Sequence, residues 1–190
     1  MRIQTSLIAL RILAAAVSLT SLAFASGEPV NKDSKTIAAF EKSVAEYVKL
    51  HNRARSGLGP EKATESSDMI ATRERELAER IRALRPNARR GTIFTPSART
   101  EFRRLVNISS QGANGSHIRA SLARSEPVDV PLRVNGAYPK DKALQSTPST
   151  LLQNLPPLPK EIEYRVVGRK LVLRDIGANL IVDYADDVVR

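Results

Sequence analysis

The chain has no cysteine and no tryptophan, and only 4% of its 190 residues are aromatic. The absence of cysteine excludes in one step a structural disulfide, a thiolate zinc site, a cysteine nucleophile and a lipid anchor on cysteine. The fold must be held by packing alone. With so few rings, its core is expected to be aliphatic and modest. Long hydrophobic runs are equally scarce. The one candidate opens the chain, "MRIQTSLIALRILAAAVSLTSLAFASG", and Arg11 interrupts it short of the roughly 20 apolar residues of a spanning helix. Arg2 and Arg11 instead precede an apolar run over residues 12–25 that closes on Ala23-Phe24-Ala25, the small-x-small pattern a signal peptidase reads. Residues 1–25 are therefore expected to be a signal peptide cleaved before Ser26. The remainder would be a periplasmic or secreted protein with no transmembrane span.

Catalytic signatures are missing too. There is no "HExxH", no "GxSxG", no glycine-rich phosphate loop and no dinucleotide motif. The two histidines, His51 and His117, lie far apart, and neither has an acid or a second histidine at metal-ligand spacing. His51 falls on the apolar seam of a helix near its C-terminal end, a favourable place for a partly buried histidine. Asp183, Asp186 and Asp187 in "VDYADD" lack the central glycine and terminal glutamate of a calcium loop, and they read as a solvated strand end. "NIS" at Asn107 matches a glycosylation acceptor and carries little weight alone. No catalytic residue, cofactor or metal is expected, so the chain is read as non-enzymatic.

What the sequence does have is positive charge. The formal net charge is +10. Within residues 71–104, ten arginines face four glutamates. Glu76 with Arg80 and Glu79 with Arg82 stand at helical pairing distance, and part of the excess reads as a solvated face. Arg85, Arg89 and Arg90 run beyond the helix end, and Arg99, Arg103 and Arg104 resume on the next one. If those helices pack, Arg82, Arg85, Arg89, Arg90, Arg99, Arg103 and Arg104 would merge into one anion-binding surface. For an exported protein, the anionic partners are an envelope polymer or lipid head groups rather than nucleic acid.

Periodicity organises the rest. In "DSKTIAAFEKSVAEYVKLHNRARSGLG", Ile37, Phe40, Val44, Tyr47, Val48 and His51 recur at three-and-four spacing, with Asp33 or Ser34 as cap and a stop at Gly57 or Gly59 with Pro60. "SSDMIATRERELAERIRALRP" repeats the pattern through Ile70, Leu77, Ile81 and Leu84, which predicts an antiparallel helical hairpin. "FTPSARTEFRRLV" starts a third helix, with Thr95 as N-cap, Pro96 at the first position and Ala98, Phe102, Leu105 and Val106 inward. "SHIRASLARS" adds a fourth helix, burying Ile118 and Leu122. Pro127, Pro131 and Pro139 hold the next stretch extended. "TPSTLLQNL" is a short capped helix, and "PPLP" is a rigid lead into the C-terminal segment.

In "YRVVGRKLVLRDIGANLIVDY", a two-residue turn at Gly168-Arg169 aligns Val167 with Lys170, Val166 with Leu171, Tyr164 with Leu173 and Glu163 with Arg174. Tyr164, Val166, Leu171 and Leu173 then share one face, and Glu163 meets Arg174 on the other. A four-residue loop over residues 176–179 would bring Asp175 opposite Leu180, Leu173 opposite Val182 and Leu171 opposite Tyr184. The predicted class is α+β: an N-terminal helical hairpin with further helices, and a C-terminal three-stranded antiparallel β-meander packed on them. The predicted divisions are 1–25 signal peptide, 26–125 basic helical region, 126–160 extended proline-containing connector with one short helix, and 161–190 meander.

"FEKSVAEYVKLH", "RRGTIFTPSARTEFRRL" and "LPPLPKEIEYRVVGRKLVLRDIGANLIVDYADDVV" together resemble a family of uncharacterised exported bacterial proteins of about this length. The resemblance covers most of the chain after the signal and implies a shared architecture. The last segment is also similar to the tail of periplasmic nickel/cobalt-homeostasis proteins, through Pro156, Pro157, Tyr164, Arg165, Gly168 and residues 171–173 and 181–183. That likeness rests on packing residues and implies, as an alternative, a metal-homeostasis accessory. The leading expectation is binding or scaffolding at the cell envelope through the arginine-rich surface.

Overall fold

Helix begins at Lys32 in the computed structural model, which describes residues 32–59, 66–111, 115–123, 131–139 and 147–189 (backbone alone at 32, 119, 121–123 and 150). The predicted signal peptide, the first part of the extended connector and the Leu122 side chain lie outside these. Helix α1 spans Lys32–Ser56, α2 Ser67–Leu84, α3 Pro96–Gln111, α4 Gly115–Ala123 and α5 Ser149–Leu152; strands β1 Ile162–Val167, β2 Lys170–Asp175 and β3 Leu180–Ala185 follow. The class is α+β with a C-terminal antiparallel meander in the order β1-β2-β3. Among the described residues no helix is long and apolar enough to cross a membrane.

Asp33 and Ser34, expected as caps, sit inside the first turn of α1, which starts at Lys32, two or three residues earlier than either cap would place it. The stop at Gly57 holds. On α1, Phe40, Val44, Tyr47 and His51 are buried as the periodicity requires. Ser66 caps α2, its hydroxyl accepting from Met69 N–H. The α2 seam is narrower than predicted. Leu77, Ala78 and Ile81 are buried, whereas Ile70 and Leu84 near the two ends are exposed. Thr95 caps α3 through Ala98 N–H at 3.3 Å, and Ala98, Phe102 and Val106 face inward. Ile118 of α4 is buried. The short helix α5 lacks the expected side-chain cap: Pro148 holds the N-cap position, and the Thr147 hydroxyl reaches Tyr164 O instead.

Helix α1 packs against both α2 and α3. The core between helices and sheet is mostly aliphatic, as expected, with a cluster of rings inside it. Phe40, Phe94 and Phe102 pack with centroids 4.7–5.6 Å apart, and Tyr164 adds a fourth ring 6.0 Å from Phe102. The three phenylalanines converge from α1, α3 and the loop between α2 and α3.

The β1–β2 register is the predicted one throughout, from Glu163↔Arg174 to Val167↔Lys170. Gly168 takes φ +56, and Arg169 is not among the residues with positive φ, which fits a type II′ turn and excludes type I′. The β2–β3 register departs from prediction after two pairs. Asp175↔Leu180 and Arg174↔Ile181 are followed by a bulge, so Leu173 pairs with Asp183 and Leu171 with Ala185, not with Val182 and Tyr184. The extra residue turns Asp183 to the helix-facing side, where alternation alone would have aimed it outward. The bulge also coincides with Arg85 donating to Val182 O.

The outer face of the meander is partly covered as well. Leu132 and Tyr138 pack on Val167, Val172 and Ile181. Asn135 N–H donates to Ile181 O, Ile181 N–H to Gly136 O, and Tyr138 N–H to Asn179 O, with a bridge at Ala137↔Leu180. The edge of β3 is thereby paired by the connector, one of the ways proteins protect an edge strand.

Candidate functional site

The seven arginines singled out by composition have distinct fates. Arg82 Nε donates to Asn135 O at 2.9 Å. Arg85 turns inward: its guanidinium reaches Val182 O at 3.3 and 3.4 Å and lies 5.0 Å over the Tyr47 ring. Burial pulls its pKa down, with Tyr47 and Asp183 opposing. Arg85 O accepts from Asn135 Nδ2. These two arginines therefore clamp the 133–136 turn and the bulge onto the end of α2. Arg103 Nε holds Asp187 O at 2.9 Å. Arg104 grips Glu101 with two donors, and Asp33 lies 3.7 Å away. Arg89 is exposed.

Two arginines converge on open space. Arg90, ion-paired with Asp186 and 5.4 Å over the Tyr184 ring, lines a cleft of about 170 Å³ together with Arg99, Gly91, Pro96 and Tyr184. Arg99 Nε is buried and has no hydrogen-bond partner among the described residues. The cleft lies at the start of α3, where the helix dipole adds partial positive charge. The two arginine groups are linked through β3 and the residues after it, by Arg85 on Val182, Arg90 on Asp186 and Arg103 on Asp187.

Asp183 is no solvated strand end. It is fully buried, and it accepts from Gly91 N–H at 2.9 Å, Ile93 N–H at 2.8 Å and Phe94 N–H at 2.9 Å, as well as from Tyr184 N–H. Gly91 adopts φ +84, a conformation that glycine takes without a Cβ penalty. A loop of backbone amides is thus wrapped around one carboxylate, and that loop carries Arg90 into the cleft. Asp186 and Asp187 remain at the surface, paired with Arg90 and Arg169.

A second buried carboxylate was hidden in the meander turn. Asp175 Oδ2 accepts the Tyr47 hydroxyl at 2.7 Å and stands 2.6 Å from His51 Nδ1, while Oδ1 accepts Ala178 N–H at 2.8 Å. Sequence reasoning placed Tyr47 and His51 on one seam and treated them as packing residues. The i,i+4 spacing of two polar-tipped side chains on that seam was the available signal. Their shared partner lies 124 residues beyond His51. His51 also lines a cavity of about 330 Å³. His117 is exposed on α4. Among the described residues no group of three or more His, Asp or Glu side chains is placed to hold a metal ion.

Burial of Tyr47, reinforced by Asp175 beside its hydroxyl, holds the phenol well above the ordinary tyrosine range, and burial does the same to Tyr164. The fold favours the neutral phenols, whereas an unfolded tyrosine ionises near pH 10. Their contribution to stability is therefore fully present below about pH 10 and lost as the pH rises above it. Urea melts followed by circular dichroism should show the midpoint falling from about pH 10 upward. The Tyr47→Phe variant should start lower and fall less steeply over the same range.

Compared with known protein families, with curated proteins and with solved structures, the chain gives no match.

Proposed function

We propose that this is an exported protein, periplasmic or secreted, that acts without catalysis by binding or scaffolding at the cell envelope, its arginine-rich region meeting an anionic envelope polymer or lipid head groups. The observation that carries this reading is the cleft at the start of α3, where Arg90 and Arg99 face the same space and Arg99 Nε has no partner among the described residues. Exposed Arg89 immediately precedes Arg90 in the chain. A guanidinium pair beside a helix N-terminus suits a phosphate or carboxylate oxygen, because both supply N–H donors and positive potential at one point. Arg82, Arg85 and Arg103 contribute by holding the turn, the bulge and the chain end that frame the surface.

Charge-driven binding is screened by salt, with a Debye length of about 10 Å at 0.1 M. Fractionation of the producing cells should leave the chain with the envelope at low salt and release it at high salt. An Arg89→Gln, Arg90→Gln, Arg99→Gln triple variant should be released at markedly lower salt while melting within a few degrees of the parent. A chain that is freely soluble at every salt concentration would sink this reading. A metal-specific rise in Tm would instead favour the metal-homeostasis alternative.

A further inference from the structure

We propose, resting on the reading of the Arg90–Arg99 cleft as an anion site, that its ligand is the terminal phosphate of a monoester, carried by a lipid head group or a soluble phosphate ester. Arg99 stands in the first turn of α3, partly buried, and its Nε is buried without an acceptor among the described residues. Buried donors are almost always paired, and an unpaired one on a cation beside a cleft calls for an anion or solvent there. Arg90 reaches the same space from the loop before α3. The amides of Gly91, Ile93 and Phe94 pin that loop to Asp183, and the Tyr184 ring lies 5.4 Å from the Arg90 guanidinium. Asp186 engages Arg90 at Nη1, and the arginine side chain stays 48% exposed.

Size and charge select the ligand. About 170 Å³ is well below the roughly 300–1,000 Å³ of a site that encloses a whole small molecule, so the cleft holds a head group and leaves its carrier outside. None of the lining residues brings an acidic side chain. Two arginines against Asp186 leave one positive charge, and the start of α3 adds about +0.5. Asp183, behind Gly91, is opposed by Arg85, and Asp187 by Arg169. The excess of about +1.5 matches a phosphate monoester, which carries about −1.5 to −2 near neutral pH, better than a carboxylate or a phosphodiester with a single charge. Geometry agrees. One guanidinium fork fills both oxygens of a carboxylate, whereas a terminal phosphate has three oxygens and bridges two arginines. Arg89 is exposed and outside the lining, so it adds attraction without touching the ligand.

The test is a low-salt titration of the whole, isotope-labelled chain with butyl phosphate, reading the Arg99 Nε–H resonance by NMR. Diethyl phosphate and pentanoate, at matched ionic strength, are the singly charged controls. Butyl phosphate should saturate one site with Kd about 1 mM and bind roughly five-fold tighter than either control. Arg99→Gln should abolish saturation with Tm little changed, because Arg99 Nε makes no hydrogen bond for the fold to lose. Arg90→Gln should weaken binding roughly ten-fold and keeps the test open if the first variant does not fold, whereas Arg89→Gln should change Kd less than about two-fold. Phosphatidylcholine vesicles carrying phosphatidic acid separate the two sources. Capture of the chain, reversed by butyl phosphate, assigns a lipid head group; saturation by butyl phosphate without capture assigns a soluble ester. Butyl phosphate that fails to saturate, that binds no tighter than the controls, or that binds the arginine variants as it binds the parent would overturn the proposal. Salt-sensitive retention on the envelope without butyl phosphate binding would sink this inference alone. Butyl phosphate binding by a chain that fractionates as freely soluble would sink the envelope reading alone.

Discussion

Replacing Asp183 by alanine is expected to destabilise the protein by about 4 kcal/mol, a large part of the 5–15 kcal/mol that holds a typical domain folded. The side chain is wholly buried and gathers the amides of Gly91, Ile93 and Phe94. Those donors sit in the loop between α2 and α3, where no helix or strand supplies an alternative acceptor. Without the carboxylate, each buried N–H that stays unpaired costs roughly 1–3 kcal/mol, and water entering the space would recover only part of it. Asp183→Asn keeps one oxygen but turns an amide NH₂ toward the same donors, so about 2–3 kcal/mol is expected. Urea unfolding of the three proteins would measure this. A loss below about 1 kcal/mol for the alanine variant would show that the loop holds itself. Phe94 belongs to the ring cluster and Arg90 to the arginine cleft, so the variant should also lose salt-sensitive envelope binding.

Asp175→Ala should cost about 3 kcal/mol by a related route. Here the groups left without an acceptor are side chains, the Tyr47 hydroxyl and His51 Nδ1–H, with Ala178 N–H beside them. Because the damage lies mostly in stranded donors, it should shrink when a donor is removed as well. In a Tyr47→Phe background, the same alanine substitution is expected to cost about 1 kcal/mol less, and a double-mutant cycle measures the difference. Strict additivity would show that Tyr47 and Asp175 are not energetically linked. The network ties α1 to the β2–β3 turn, so amide exchange at Ala178 and Asn179 should also accelerate in the single variant.

The first β-turn was legible because everything that decides it is local. Gly168 can take positive φ, and Tyr164, Val166, Leu171 and Leu173 share a face in only one register. The N-cap at Thr95 followed by Pro96 was legible for the same reason. The second turn was half legible. Its four-residue loop and first pair follow from the chain text, but the bulge that breaks the register does not. It is set by what Val182 and Asp183 meet, a guanidinium on α2 and three amides about 90 residues earlier in the chain. The arginine cluster was legible as charge and illegible as geometry, since its commonest acceptors, the carbonyls of Asn135, Val182 and Asp187, carry no side-chain signature.

Period, turn chemistry and charge, read along the chain, determined the helices, the meander, the inward face of α1 and the basic stretch, because each depends on neighbours within a few residues. Tertiary structure alone decided that three phenylalanines from separate segments meet. It also decided that Asp175 and Asp183 are buried acceptors rather than surface acids, and that His51 lines a cavity. A side chain's spacing tells which face of its element it occupies. Whether that face meets water, an amide or a cavity is set by whichever distant segment folds against it.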